Sequence, residues 1–313
     1  MNLMVNALGF VIVFCSAFAF AQPFINGYVV DYFYFRFSSV FYNPVIFANV
    51  IILLWPFTLI YEPFGPNRRP KLTLVFRVVG VVMSLAALML TGSRGEIMIG
   101  IIQIIWLSRK LLTNDQLNAG RTRQLIYFLI CLVPIIGIIN FDFLLETVLR
   151  RFYDLDFNEQ GNSANERVLG ALGGLELGLS NIFFGVGLGN FRYAYLTTSA
   201  AAEGLAQLES AHNLILTLFA EEGLLGTAAW LIMIAGACSR LAIAKDWLYA
   251  NNASALHLVV MCSFYGYTAT QLLFYGEFLH NNVGLPMVLY LVVIGLTSSL
   301  YFMKSNDNRS IHV

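Results

Sequence analysis

Charge is scarce in this chain. Asp, Glu, Lys and Arg make up 12% of its 313 residues, while 58% are hydrophobic. Soluble domains carry about 25% charged residues, so the shortage excludes an ordinary soluble fold. The formal net charge is zero, which removes any global attraction for nucleic acid. Cysteine is scarce too. Cys15, Cys131, Cys238 and Cys262 each fall inside an apolar run without metal-type spacing, and read as small buried hydrophobes, neither disulfides nor ligands. His212, His257, His280 and His312 show no ligand spacing, so no metal is expected. The first apolar run lacks a basic n-region and an A-x-A-like exit, and is expected to be a retained span.

What the chain has in quantity is long apolar runs. A membrane helix needs roughly 20 mostly apolar residues. Candidates lie at 3–21, 40–61, 74–90, 97–108, 125–141, 213–237, 256–274 and 283–303. The fourth reaches a usable length only if its helix starts near Gly92 or the bilayer thins. The expected fold is therefore an all-α polytopic membrane protein of about eight transmembrane helices. Residues 1–313 form a single membrane domain, with one large extracytoplasmic loop, 142–211, between spans five and six.

Cations set the expected orientation. Arg68, Arg69, Lys71, Arg77, Arg109, Lys110, Arg121, Arg123, Arg240, Lys245, Lys304 and Arg309, twelve of the 18 Lys and Arg, share one side if both termini are cytoplasmic. The remainder are Arg36, Arg94, Arg150, Arg151, Arg167 and Arg192; a loop as long as 142–211 crosses regardless of its charge. The expected location is a bacterial cytoplasmic (inner) membrane with the large loop periplasmic. Residues 22–39, rich in Tyr and Phe, read as an interfacial aromatic belt or as a wall for a lipid tail.

Most of the polar chemistry sits in or beside that loop. Ser163-Ala164-Asn165-Glu166 has capping-box spacing. It predicts a helix from there to about Leu177, with Val168, Leu169, Leu172 and Leu175 on one face against the bundle. Arg167 would occupy its first turn, where a cation opposes the helix dipole unless an anion lies close. Arg167 either pairs with Asp154, Asp156 or Glu159, or binds an anion. Arg150 and Arg151 directly follow span five and read as interfacial anchors or supporting cations. Arg94, in Thr91-Gly92-Ser93-Arg94-Gly95-Glu96, either snorkels or pairs with Glu96 in a tight turn, or binds a phosphate that the flanking glycines let approach. Arginine suits diphosphates because its fork donates two parallel hydrogen bonds and stays charged.

His212 opens span six. It is a capping or packing group, or a general base, since an ordinary pKa of about 6.5 lets it take a hydroxyl proton at neutral pH. Asn213 follows it. Glu221 and Glu222 lie within the span; an unbroken helix would turn Glu221 to the face opposite His212, toward a polar cavity or a neighbouring helix. Gly185-Val186-Gly187-Leu188-Gly189 lacks the βαβ context of a dinucleotide loop and reads as a tight turn or an anion nest. Asp154-Leu155-Asp156 matches the D-x-D of sugar-nucleotide transferases, but an outer loop never meets those donors. No cofactor is expected.

Taken in order, these residues resemble the O-antigen ligase and O-antigen polymerase superfamily of bacterial membrane glycosyltransferases. Thr91-Gly92-Ser93-Arg94-Gly95 is similar to its S-R-G turn. Arg167, a short apolar helix, then Asn181-Ile182-Phe183-Phe184-Gly185-Val186-Gly187 resembles its arginine-to-glycine segment, with Asn181 and Ile182 where a proline is frequent. His212-Asn213-x-x-Leu216 with Glu221-x-Gly223-x-x-Gly226 resembles its H-N-x-x-L and E-x-G-x-x-G motifs. The family carries several more spans ahead of the S-R-G turn, so the chain is expected to be a short or truncated form. The resemblance implies an undecaprenyl-diphosphate-linked glycan as donor. The acceptor would be a glycan, lipid A core or a protein, and the membrane lipid and no nucleic acid would be the other partner class. It also implies that Arg94 and Arg167 hold the diphosphate and that His212 assists transfer, with Arg150, Arg151, Gly187, Asn213 and Glu221 in support.

Two other readings stand beside it. A transporter or flippase for lipid-linked sugars predicts repeats and paired broken helices near the bilayer midplane. A truncated, non-catalytic paralogue would bind lipid-linked glycan without transferring it.

Overall fold

The computed structural model describes residues 2–25, 38–41, 43–63, 70–112, 163–202, 208–250, 253–273 and 284–310. Among them the elements are helical and no strand occurs. Four helices come before the loop: α1 (Asn2–Ile25), α2 (Pro44–Leu54), continued by a 3₁₀ turn (Trp55–Ile60), α3 (Pro70–Leu90) and α4 (Arg94–Leu112). Within the loop are α5 (Ser163–Ser180), α6 (Phe191–Tyr195) and α7 (Ser199–Ala202). After it come α8 (Leu214–Ala250), α9 (Ser254–Leu273) and α10 (Gly284–Ser310). Every expected span except the fifth is thus a helix; 125–141 lies outside the described residues.

Leu3–Gln22, Pro70–Leu90 and Leu214–Tyr249 are long and apolar enough to cross a membrane, and Pro44–Ile60 and Val288–Tyr301 are shorter apolar helices. The chain is a membrane protein in composition and helix length. α4 starts at Arg94 and runs 19 residues, longer than its apolar run alone, because the polar turn supplies its first residues. The Gly92 backbone, at φ 64°, ends α3 and turns the chain.

The chain gathers into two compact units. The first holds α1 to α4, α8 from Arg240 onward, most of α9 and most of α10. Its helices meet around a buried amide. Gln103 accepts from Trp55 Nε1 at 2.7 Å and donates to the carbonyls of Ile52 at 3.1 Å and Cys262 at 2.8 Å. Gly266 faces that amide, and any Cβ there would collide with it. An intramembrane polar group must be satisfied inside the protein, and Gln103 meets that demand by joining α2, α4 and α9. Cys15 and Cys262 are buried and unpaired, as their apolar settings implied.

The second unit holds the loop helices, α8 as far as Ser239, the end of α9 and the first residues of α10. Its core is Leu169, Leu177, Phe191, Tyr195, Ala200, Leu208, Ala211 and Ala220. Phe191 and Tyr195 stack, one turn apart on α6, with ring centroids 5.8 Å apart.

Candidate functional site

α5 begins at Ser163, as the capping box predicts, and ends at Ser180, one turn later than expected. Its orientation differs from the sequence expectation. Val168, Leu172 and Leu175 are about half exposed; of the predicted stripe only Leu169 is buried. The buried face carries glycine instead: Gly170, Gly174 and Gly178, one turn apart. A Cβ on Gly170 would lie 3.1 Å from the Ser210 carbonyl; one on Gly174, 2.8 Å from Ala211 Cβ; one on Gly178 would strike the Phe219 ring. The missing side chains let two backbones approach closely, which outweighs the area that Val168, Leu172 and Leu175 would bury. The contacts advance together along both segments, so α5 and the start of α8 run side by side in the same direction.

Seven residues of α-helix turn through nearly two full revolutions. Arg167 therefore continues the Gly170–Gly174 line and sits one turn before the residues that meet Ser210 and Ala211. His212 follows them. Its backbone is at φ 51°, a conformation few side chains adopt, and its N–H donates to Ser210 Oγ at 3.3 Å. Ala211 N–H donates to Thr217 Oγ1 at 3.2 Å, closing the turn from the other side. The half-buried imidazole has its pKa lowered to about 4, first by burial and second by the positive charge of Arg167. Arg167 and His212 are thus brought together, with the histidine neutral at physiological pH.

Asn213 caps α8. Its Oδ1 accepts from Leu216 N–H at 3.2 Å, and its Nδ2 donates to the Leu272 carbonyl at 2.6 Å, tying the cap to the end of α9.

The expected sixth span is not one unbroken helix. Gly223, at φ 67° and ψ −165°, interrupts it. A break frees carbonyls before it and N–H groups after it. The loop 181–187 takes up both. Val186 and Gly187 N–H donate to the carbonyls of Ala220 and Glu221, each at 2.8 Å. Leu224 and Leu225 N–H donate to the carbonyls of Ile182 and Phe183, at 2.7 and 3.4 Å. Gly185, at φ 65°, presses against the Glu221 backbone, and Gly223 against that of Phe183, so neither position has room for a Cβ.

Glu221 completes the joint. Its two carboxylate oxygens accept from Gly189 N–H at 3.0 Å and Phe191 N–H at 3.1 Å. The glycine segment is an anion nest, and the anion it holds is the chain's own carboxylate. Phe191 opens α6, so the carboxylate supports a neighbouring helix, one of the two alternatives expected for it. Glu221 and Gly187 are joined structurally, through the Gly187 N–H and the Glu221 carbonyl.

Arg94 belongs to the first unit, as the first residue of α4. It is half-buried, behind a turn in which Ser93 N–H donates to Thr91 Oγ1 at 3.3 Å, and beside the buried Ser93 and Glu96. Arg150, Arg151, Asp154, Asp156 and Glu159 lie outside the described residues. The sequence reading missed the glycine face of α5, although small residues at four-residue spacing announce close helix approach. It also missed Glu176, whose carboxylate accepts from the Ser199 N–H at 3.0 Å and hydroxyl at 2.6 Å and so caps α7.

No curated protein matches the chain. The family model described as O-antigen ligase matches residues 79–231. That stretch contains Arg94, Arg167, His212, the helix break at Gly223 and the glycine loop that fills it. Over that stretch the chain is similar to the O-antigen ligase family, whose chemistry is glycan transfer.

Proposed function

We propose that the protein moves a glycan from an undecaprenyl-diphosphate carrier to an acceptor hydroxyl at the periplasmic face of the inner membrane, without a metal ion. In this reading residues 1–313 are one membrane domain with both termini cytoplasmic, and 142–211 is its catalytic loop. Arg94 and Arg167 hold the diphosphate, and His212 takes the acceptor proton. Arg150 and Arg151 add cationic support outside the described residues.

The observation that carries this is the pairing of Arg167 with a neutral, half-buried His212. Two cations side by side would be costly, and the low imidazole pKa avoids that. The neutral imidazole can accept a proton. The acceptor oxygen attacks the anomeric carbon while its proton passes to an imidazole nitrogen. The bond from that carbon to the phosphate oxygen breaks, and its electron pair leaves with the diphosphate. Guanidinium groups stabilise the negative charge as it develops. Bound diphosphate also offsets the charge of Arg167, so it raises the imidazole pKa and strengthens the base when the donor is in place.

The break at Gly223 is the one feature that a transporter reading would use. Its carbonyls, however, are bonded to Val186 and Gly187 rather than open to a cargo ion.

The test supplies purified protein with undecaprenyl-diphosphate glycan and candidate acceptors in chelator. Product is expected, and Arg94→Ala, Arg167→Ala and His212→Ala should each abolish it with insertion unchanged. Activity surviving in all three variants removes the site. Activity lost only in chelator favours a metal held by Asp154 and Asp156. Passage of donor across vesicles without transfer establishes the transporter instead.

A further inference from the structure

The register between α5 and α8 fixes how deep the loop helices reach. Apolar residues of α8 continue until Arg240, which is followed by Lys245 and Asp246. The hydrocarbon core is about 30 Å thick, or roughly 20 helical residues. Counting back from Arg240 places its other boundary near Ala220. Leu224 and Leu225 then lie just inside the hydrocarbon. Ile182 and Phe183 share their level, because their carbonyls accept the N–H groups of those two leucines.

The half-buried Glu222 reaches Gly226 and is hydrogen-bonded by Trp230; the exposed side chains around it are apolar. Phe183 is 62% exposed and Phe184 77%, and Ile182, Leu179, Leu224 and Leu225 are each about half exposed. The backbone here is non-helical, which hydrocarbon tolerates only where its polar groups are bonded within the protein. Several of them are: the four hydrogen bonds across the Gly223 break, and Gly185 N–H to the Asn181 carbonyl at 2.8 Å; the Asn181 side chain also turns inward, its Nδ2 donating to the Leu177 carbonyl at 3.3 Å. A water-facing loop has no need of this internal bonding, and such a loop does not usually present consecutive phenylalanines.

We propose that α5, loop 181–187 and α6 form a re-entrant excursion, with Ile182, Phe183 and Phe184 at its tip immersed among lipid acyl chains at the rim of the bilayer. α5 descends beside α8, the tip turns at the break, and α6 climbs back, with Phe191 returning to the level of Gly174. The continuity of the tip with the exposed Leu224, Leu225, Leu231 and Ile232 of α8 identifies lipid as the occupant. The inference rests only on α8 crossing the membrane and is independent of the transfer chemistry.

The test places single tryptophans at exposed positions in the full-length protein: Phe184→Trp, Ile182→Trp and, on the returning helix, Tyr193→Trp. Each variant is reconstituted in phosphatidylcholine nanodiscs with or without bromine on the acyl chains. The emission added over wild type is then measured with brominated lipid and with aqueous acrylamide. For Phe184→Trp and Ile182→Trp, brominated lipid should remove most of the added emission and acrylamide little. Tyr193→Trp should show the reverse. Acrylamide quenching at both tip positions without bromine quenching overturns the proposal by putting the tip in water. Insensitivity to both quenchers overturns it by showing the tip covered by protein, such as a second copy of the chain.

Discussion

Gly185 and Gly189 provide a matched pair that isolates the joint between the loop and α8. Both have positive φ, 65° and 74°, so alanine at either is strained. That strain costs about 1–2 kcal/mol. The surroundings differ. A Cβ at Gly189 meets nothing within 4 Å, whereas one at Gly185 lies 2.6 Å from the Ala220 carbonyl oxygen and closer still to the Glu221 backbone. Backbone cannot rotate aside as a side chain can. The loop must retreat, and the carbonyls of Ala220 and Glu221 lose Val186 and Gly187 as donors. Each orphaned group adds about 1–3 kcal/mol. Gly189→Ala should therefore cost about 1–2 kcal/mol, and Gly185→Ala roughly 3–8 kcal/mol. Titration of the detergent-solubilised protein with SDS, followed by circular dichroism, measures both. Equal losses would refute the reasoning, because then only dihedral strain, and not the backbone exchange at the break, holds the loop.

Four further outcomes are expected. Arg167 is the smaller of the two causes that lower the His212 pKa from 6.5 to about 4, so Arg167→Gln should raise it by less than about 1.3 units, short of the ordinary value. An imidazole NMR titration, assigned with His212→Gln, reads the change; a wild-type His212 titrating at its ordinary value would contradict the burial argument. The same depression means that the unfolded chain binds a proton first as pH falls, so stability should drop by up to about 3 kcal/mol between about pH 6.5 and 4 and stay flat above that window. Glu221→Gln leaves one of two backbone donors, Gly189 or Phe191, facing an amide N–H; a loss of roughly 2–3 kcal/mol is expected in the same SDS titration, whereas His212→Ala should leave the midpoint nearly unchanged. Gln103→Leu strips the partner from Trp55 Nε1 and from the carbonyls of Ile52 and Cys262, at roughly 1–3 kcal/mol by the same measurement; no loss would mean that water or a side chain replaces the amide.

The helices were readable because apolar run length is a local property, and α1, α3 and α9 begin and end within a few residues of their runs. The start of α5 was readable for the same reason, from the capping-box spacing of residues 163–166. The break at Gly223 was not. Glu222 and Gly223 sit in an apolar run that reads as continuous, and what stabilises the interruption is a loop some forty residues earlier. The orientation of α5 was misread because counting apolar side chains gives glycine no weight, yet glycine decides which face can approach a backbone. Arg167 and His212 were individually visible as candidates. The resemblance implied a shared role for them, but not the glycine face and the left-handed turn at His212 on which their placement depends. Glu221 was noticed as an acid in an apolar setting, but its partners are peptide N–H groups, which carry no sequence signature.

The glycine face of α5 has a consequence for how the chain can vary in length. It works as a rack, with each tooth spaced one turn from the next and meshed with a given level of the neighbouring segment. One residue inserted between Gly170 and Gly178 would rotate everything beyond it by about 100° and swing a leucine into the gap. Arg167 and His212 would then no longer keep step. Natural insertions and deletions should therefore be absent from 167–178, where each would disturb the residues at the working end of the loop.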